Sequence, residues 1–441
     1  EKANPRVMSP PVHILFPVGL KGGPTRSLLK AAQAGELTVE VARLECPKCG
    51  EISHFRKCPK CKSITEYTRI CTRCGRPAQL ERCPICNGPT SYFEQRRIKL
   101  KPELERALQK LGEPEPPELK GVKGMTSAYK IPEPLEKGIL RAKYGLWVFK
   151  DGTIRYDMSD IAITHFRPSE IGLGVQKARE LGYVKDYMGR PLESEDQICE
   201  LKVQDIIIPR SAAEYMVNVA KFIDELLEKV YGMGKYYNVR KPEDLIGHLV
   251  VGLAPHTSGG VLARIIGFTD AQPCFAHPFF HAAKRRNCDG DEDSIILLLD
   301  ALLNFSREYL PVTRGGMMDA PLVLSLRIDP SEIDKEALNV DIMDEYPLEF
   351  YYATLQYKMP DEVLEYMEIV KKRLGTEKQY EGFRFTHDTT NIAKGPLISS
   401  YKTLGNMMKK AVVQLNLAKK TRAVNERDVA ERLIASHLLP D

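Results

Sequence analysis

Eight of the eleven cysteines fall between residues 46 and 86, as four CxxC pairs. They form two modules: Cys46, Cys49, Cys58 and Cys61, then Cys71, Cys74, Cys83 and Cys86. The same eight-residue gap separates the pairs of both modules. Each CxxC sets two thiolates on one tight turn, and two such turns complete a tetrahedral four-thiolate set, the donor arrangement of closed structural zinc sites. The expectation is two Zn²⁺ ions, both structural, because four cysteines leave no open position for catalysis. A redox CxxC or an iron centre is the competing reading. Disulfides are not expected: so tight a cluster, in a chain of this length with no secretory pattern, reads as metal binding in a reducing cytoplasm. His54 is a spare ligand candidate or a surface residue. Basic residues such as Lys48, Arg56, Arg69 and Arg73 leave phosphate contact open against a plain solvated surface.

The chain has 441 residues, enough for about two to four domains. The net charge of +5 permits a nucleic-acid partner without demanding one. The longest apolar run, Ile295–Leu303, is interrupted by Asp300 and falls short of the roughly 20 residues of a membrane span, so no membrane partner is expected. The non-Met start and the unfinished look of the last residues suggest a piece of a longer polypeptide.

The local pattern predicts a strand near 12–16, a helix over Thr25–Ala34, and strand-like runs over 139–166 with a turn at Lys150-Asp151-Gly152. A short helix is expected around Gly174–Leu181. Ser211-Ala212-Ala213-Glu214 reads as a capping box. It opens a helix with Met216, Val219, Ala220, Ile223, Leu226 and Leu227 on one face. Residues 247–330 read as a compact β-rich unit and 360–441 as mostly helical. The C-terminal stretch carries Lys402, Lys409, Lys410, Lys419 and Lys420 with no acidic residue between 401 and 422. If Leu404, Met408, Ala411 and Leu415 face a core, those lysines point outward as a clamp on a duplex backbone, whose binding is electrostatic and blind to sequence.

The densest chemistry lies at Asn287-Cys288-Asp289-Gly290-Asp291-Glu292-Asp293, with four carboxylates in five residues. Such a run either faces water or binds a cation. Asp289 and Asp291, separated by Gly290, can turn to one side and hold Mg²⁺, which takes a few carboxylates plus water and substrate phosphates. Lys284, Arg285 and Arg286 precede the run and are candidate phosphate contacts, as are His277 and Arg314. His281 is a weaker candidate, and for both histidines a core role competes. A calcium loop fits poorly, because Ser294 stands where that loop needs Gly.

The run resembles the Asn-Ala-Asp-Phe-Asp-Gly-Asp signature of multisubunit RNA polymerases, with Asn287 where one of the three aspartates would stand. The closer resemblance is to the large catalytic subunit of the archaeal D-family DNA polymerase. It is carried by Asn287–Asp293, Phe275-Ala276-His277-Pro278, Thr313-Arg314-Gly315-Gly316-Met317-Met318-Asp319-Ala320-Pro321, His256-Thr257-Ser258-Gly259-Gly260, the paired zinc modules and Asp388-Thr389-Thr390-Asn391. The resemblance implies an α+β multidomain chain: a double-psi β-barrel catalytic core with zinc-ribbon modules and helical accessory regions. The expected divisions are 1–44, the tail of a first barrel; 45–95, the zinc modules; 96–195, a mixed DNA-contacting region; 196–335, the second barrel with the acidic motif; and 336–441, a basic helical clamp.

It further implies a replicative DNA-directed DNA polymerase, adding dNTPs to a primer 3′-hydroxyl by two-metal nucleotidyl transfer. Asp289 and Asp291 then hold Mg²⁺, Asn287 assists through its amide oxygen, and Lys2 is the first barrel's nearest candidate contact to substrate. The implied partners are primer-template DNA, dNTP, a small exonuclease-bearing subunit and a sliding clamp, in nucleoid-associated cytoplasm. The competing readings are an RNA-synthesising barrel polymerase and a zinc-stapled nucleic-acid-binding module with a structural acidic loop.

Overall fold

The computed structural model describes residues 2–286, 289–387, 390–395 and 400–438; the side chains of residues 289, 290, 401, 402, 437 and 438 lie outside that description. The chain divides into two compact units, Lys2–Ala393 and Lys394–Asp441.

The larger unit is built around a closed ring of six strands. Ahead of the ring come β1 (Ala3–Arg6), β2 (Glu36–Ala42) and β3 (Phe93–Lys99). The ring strands are β4 (Arg155–Ala162), β5 (Asp205–Pro209), β6 (Leu249–Leu253), β7 (Gly259–Thr269), β8 (Cys274–Ala276) and β9 (Asp289–Leu297); β10 (Val323–Ser325) joins the start of β7. The spatial order is β4-β8-β5-β7-β6-β9, and β9 closes the ring by pairing antiparallel with β4. Closure leaves no open edge among these six strands. β1 pairs with the first half of β4 (Ala3↔Met158) and β8 with its second half (Ile161↔Phe275). On one face of the ring strands the residues are the β-branched ones that a pleated surface favours: Ile206, Ile208, Val250, Ile265 and Ile295 are buried in one cluster. The ring begins at Arg155, so it draws a strand from upstream of the expected 196 boundary. Local pattern could not show this, because the partner of that strand lies about 130 residues downstream.

The helix expected after Pro209 spans Arg210–Glu225, with Met216, Val219, Ala220 and Ile223 buried as its periodicity required. Its capping box is not used. β5 runs straight into the helix, Pro209 takes the cap position, and Ser211 Oγ instead receives a hydrogen bond from Tyr156 at 3.1 Å. Residues 135–143 are also helical rather than strand-like, because Ile139 and Leu140 pack one helix face on the core and Gly138 sits against Ile14. The expected strand at 12–16 is irregular but buried, and its backbone bonds to the 120–122 segment. A buried ion pair ties these pieces together. Arg141 donates to both oxygens of Glu133 at 2.8 and 2.9 Å, and to the carbonyls of His13 and Gly152. Gly152, at φ +93°, makes the turn into β4 where a Cβ would lie 2.3 Å from the Asn304 carbonyl oxygen.

The two four-cysteine modules are an insertion between β2 and β3. These strands run antiparallel from Glu36↔Lys99 to Ala42↔Phe93, so the chain leaves and returns side by side.

In the smaller unit, helices span Met407–Lys420 and Glu426–Leu433. The expected apolar stripe is only partly covered: Ala418 is buried and Leu404, Ala411 and Leu415 are half-buried, whereas Met408 is exposed. No helix among the described residues is long and apolar enough to cross a membrane.

Candidate active site and metal centres

The four CxxC turns repeat one local structure. Each ends on a residue with positive φ: Gly50 (69°), Lys62 (63°), Gly75 (70°) and Asn87 (53°). Each of these donates its N–H to the carbonyl of the first cysteine of its pair, at 2.9–3.0 Å. Sulfurs of the two facing turns in each module lie close: Cys46–Cys61 are 3.4 Å apart and Cys49–Cys58 3.5 Å, Cys71–Cys86 3.4 Å and Cys74–Cys83 3.7 Å. A tetrahedral site with Zn–S bonds of about 2.3 Å needs sulfur–sulfur edges of about 3.8 Å. All eight are free thiols, so the donor set fits zinc. His54 is neither surface nor ligand: it is buried, its ring centre 4.1 Å from that of Phe55 at a tilt of 39°, with Nε2 3.5 Å from Glu103.

The acidic motif opens β9 on the ring. Asn287 and Cys288 lie outside the described residues, as does the Asp289 side chain; the strand itself begins at Asp289. An unbroken strand would put Asp289, Asp291 and Asp293 on one face. The ladder to β4 shifts register here: Glu292 pairs with Ser159 and Asp289 with Ile161. Gly290 and Asp291 together therefore face the single residue Asp160, a β-bulge of the kind that re-aims side chains. The consequence is visible in the burial: the Asp293 side chain is 3% exposed and that of Asp291 41%. Arg286 lies between them, with Nη1 3.6 Å from Asp291 and Nε 3.7 Å from Asp293.

Lys2 is brought to the same strand by the β1–β4 pairing. Its Nζ is 2.6 Å from Glu292 and 3.4 Å from Asp157. Partial burial alone would lower the ammonium's pKa, but the Glu292 hydrogen bond and the Asp157 charge hold it above the ordinary lysine range.

The loop containing Arg314 is anchored rather than free. Asp319, at φ +60°, receives Arg155 at 2.9 Å and Arg6 at 3.0 Å. Its own N–H donates to the Thr257 carbonyl at 2.8 Å, so two segments that the sequence singled out separately meet there. Arg314 itself is exposed, one residue after the capping Thr313.

Other candidates stand elsewhere. Lys284 is 2% exposed and ion-paired with Asp160 and Asp293, so it is not available to a substrate phosphate; the turn that ends its helix carries it inward while Arg285, at φ +64°, stays exposed. His277 and His281 are fully buried. His277 caps the helix Pro278–Ala283 by accepting the Phe279 N–H, and burial pushes its pKa down to about 3. In the C-terminal unit Lys409, Lys419 and Lys420 are exposed, Lys410 is half-exposed, and the Lys402 side chain, like Asp388 and Thr389, lies outside the description. Asp160 is the site residue the sequence reading missed. Its signal was faint: an aspartate three residues after Asp157 in an otherwise ordinary strand.

An acidic, bulged strand on a closed six-stranded ring, with two four-cysteine clusters that fit zinc inserted ahead of it, defines a six-stranded barrel protein with a carboxylate-rich strand. The family described as "DNA polymerase II large subunit DP2, catalytic domain" matches residues 112–410, and its "central domain" matches residues 1–80. The chain belongs to this DNA polymerase II large-subunit family. It is 56% identical to the DNA polymerase II large subunit of Methanocella arvoryzae over 450 residues, which cover all of this chain and 40% of that protein. The corresponding subunits of Pyrococcus furiosus and Archaeoglobus fulgidus are 55% and 54% identical, again over the whole chain and over 36% and 39% of their own lengths. The chain thus spans about two fifths of the relatives it matches.

Proposed function

We propose that this chain carries the nucleotidyl-transfer site of a DNA-directed DNA polymerase, and that its six-stranded ring is a double-psi barrel. The observation that carries the reading is the bulge at Gly290–Asp291, which turns Asp291 away from the buried face of Asp293 while β1 brings Lys2 alongside. Oxygen-only donors on a half-exposed strand suit a hard cation such as Mg²⁺. Mg²⁺ held by Asp289 and Asp291, with the Asn287 amide oxygen assisting, supplies the positive charge that offsets the primer 3′-oxygen and the leaving pyrophosphate in a two-metal arrangement.

The chain's own groups do the rest by position and charge. Arg286 balances Asp291 until metal and triphosphate arrive. Lys2, paired with Glu292 and Asp157 at a partly exposed place, is placed to meet the incoming phosphates. Arg285 and Arg314, both exposed, are further phosphate contacts, and the lysines of Met407–Lys420 follow the duplex backbone. The zinc centres fix the insertion between β2 and β3. A small exonuclease-bearing subunit, a sliding clamp and a nucleoid-associated cytoplasmic setting complete the proposal.

The test is primer extension by the full-length polypeptide with dNTPs and, separately, NTPs. Asp289→Ala with Asp291→Ala is expected to abolish dNTP incorporation. Extension by that double variant would leave the acidic strand structural and the chain a zinc-stapled nucleic-acid-binding module. A preference for NTPs would make it an RNA-synthesising barrel.

A further inference from the structure

Behind the half-exposed face of β9 lies a second set of charges that the reaction does not use. Lys284 is buried, with Nζ 3.0 Å from Asp160 Oδ2 and in ion-pair contact with Asp293. His281 Nδ1 is 3.2 Å from the same Asp160 oxygen, and its Nε2 is 3.1 Å from the Ile161 carbonyl. The ammonium also lies 4.7 Å from the centre of the Phe280 ring. Room for this arrangement comes from Gly252 on β6, where a Cβ would stand 2.7 Å from Phe280 Cζ and 3.1 Å from Lys284 Cδ.

A buried lysine without partners loses its charge. Here burial is outweighed by Asp160 and Asp293, and the ammonium is held well above the ordinary lysine range. The position of the partners matters more than their charge. Asp160 is the one residue of β4 facing the bulged pair Gly290–Asp291, and Asp293 lies two residues past the bulge on β9. Lys284 therefore grips both strands at the irregularity. Arg286, two residues on, spans Asp291 and Asp293 from the same loop.

We propose that Lys284, clamped between Asp160 and Asp293, is a positioning residue: a built-in cation that fixes the bulge and so directs the Asp291 carboxylate toward the metal. This rests on reading Asp289 and Asp291 as metal ligands. Groups that orient a metal's ligands without touching the metal typically change metal affinity by about 10- to 100-fold when removed.

The test uses the full-length polypeptide and three variants, Lys284→Met, Asp160→Asn and Lys284→Arg. Lys284→Met leaves two buried carboxylates without their cation and risks unfolding. Asp160→Asn keeps shape and the Lys284–Asp293 pair, and is expected to fold. Mn²⁺ occupancy is read by electron paramagnetic resonance without nucleotide or turnover. The Mg²⁺ dependence, kcat and KM for dNTP are then read in primer extension. For Asp160→Asn the expected result is roughly tenfold weaker Mn²⁺ binding, a matching rise in the Mg²⁺ needed for half-maximal rate, and an unchanged KM for dNTP. Lys284→Arg is expected to recover part of the loss that Lys284→Met shows. Wild-type Mn²⁺ binding and Mg²⁺ dependence in Asp160→Asn would overturn the proposal, as would a raised KM for dNTP alone. If instead Asp289→Ala with Asp291→Ala still binds Mn²⁺ and extends primers, the underlying reading fails first, so the two failures are distinguishable.

Discussion

Lys2 Nζ lies 2.6 Å from Glu292 Oε2, which ties the strand that opens the chain to the residue after Asp291. The tie is half-exposed, so it is weak as a stabilising element and easily exchanged for a stronger anion. If Lys2 meets substrate phosphates, Lys2→Ala lowers the single-turnover extension rate by about 100-fold, the scale of losing one preorganised donor. Glu292→Gln, which removes one of the two carboxylates paired with Lys2 and leaves Asp157, stays within a few-fold of wild type. Wild-type rates for both variants would leave the pair a structural tie.

The zinc modules give a prediction about metal removal. Elemental analysis is expected to find two zinc ions per chain, one in Cys46→Ser and one in Cys71→Ser. Structural zinc contributes on the order of 10–16 kcal/mol of binding free energy that is also folding free energy. Because β2 and β3 carry the chain out and back side by side, its loss is expected to stay local. Limited proteolysis after chelation should then cut first within 46–91 and leave β4–β9 intact; early cleavage in the ring contradicts this.

Glu133 and Arg141, both fully buried, tie the 13–15 segment to the Gly152 turn that leads into β4. Glu133→Ala strands a buried guanidinium and is expected to cost about 3–5 kcal/mol in urea unfolding. A loss below about 1 kcal/mol would show that the pair is replaceable by water or neighbours.

Acid is expected to destabilise the larger unit through three buried histidines. Burial lowers His13 and His165 to about 4 and His277 to about 3, against an ordinary value of 6.5. All three are neutral in the fold: Nδ1 of His13 and of His277 accepts a backbone N–H, and Nδ1 of His165 faces the Thr164 hydroxyl. The unfolded chain therefore binds more protons than the folded one below pH 6.5. Their contribution is complete above that pH and falls by about 1.4 kcal/mol per histidine per pH unit on the way down to about 4. His277→Asn keeps an N-cap acceptor and removes the titration. Its unfolding free energy should fall less steeply than wild type between pH 6.5 and 5; an equal slope contradicts the assignment.

What the sequence revealed follows distance along the chain. The two four-cysteine sets were legible because each is made by neighbours at fixed spacing, and the positive-φ residue closing each turn is local too. The acidic run was legible as chemistry. Its geometry was not, because the bulge that separates Asp291 from Asp293 exists only in the register with β4, whose Asp160 lies 131 residues before Asp291. The same distance hid Lys284. In sequence it is one of three adjacent cations, and only the turn after Pro278–Ala283 shows that it points inward. At Ser211 a good local signal lost to context, because the preceding strand left no free cap position.

The central claim is most directly tested by a structure of the full-length polypeptide with primer-template DNA, a non-hydrolysable dNTP and Mn²⁺. The account predicts anomalous density about 2.1 Å from carboxylate oxygens of both Asp289 and Asp291, the spacing expected for a small, hard divalent cation. Lys284 should remain between Asp160 and Asp293. Density at Asp160 and Asp293 with Lys284 displaced, or a bound triphosphate with no metal at Asp289 and Asp291, would contradict it.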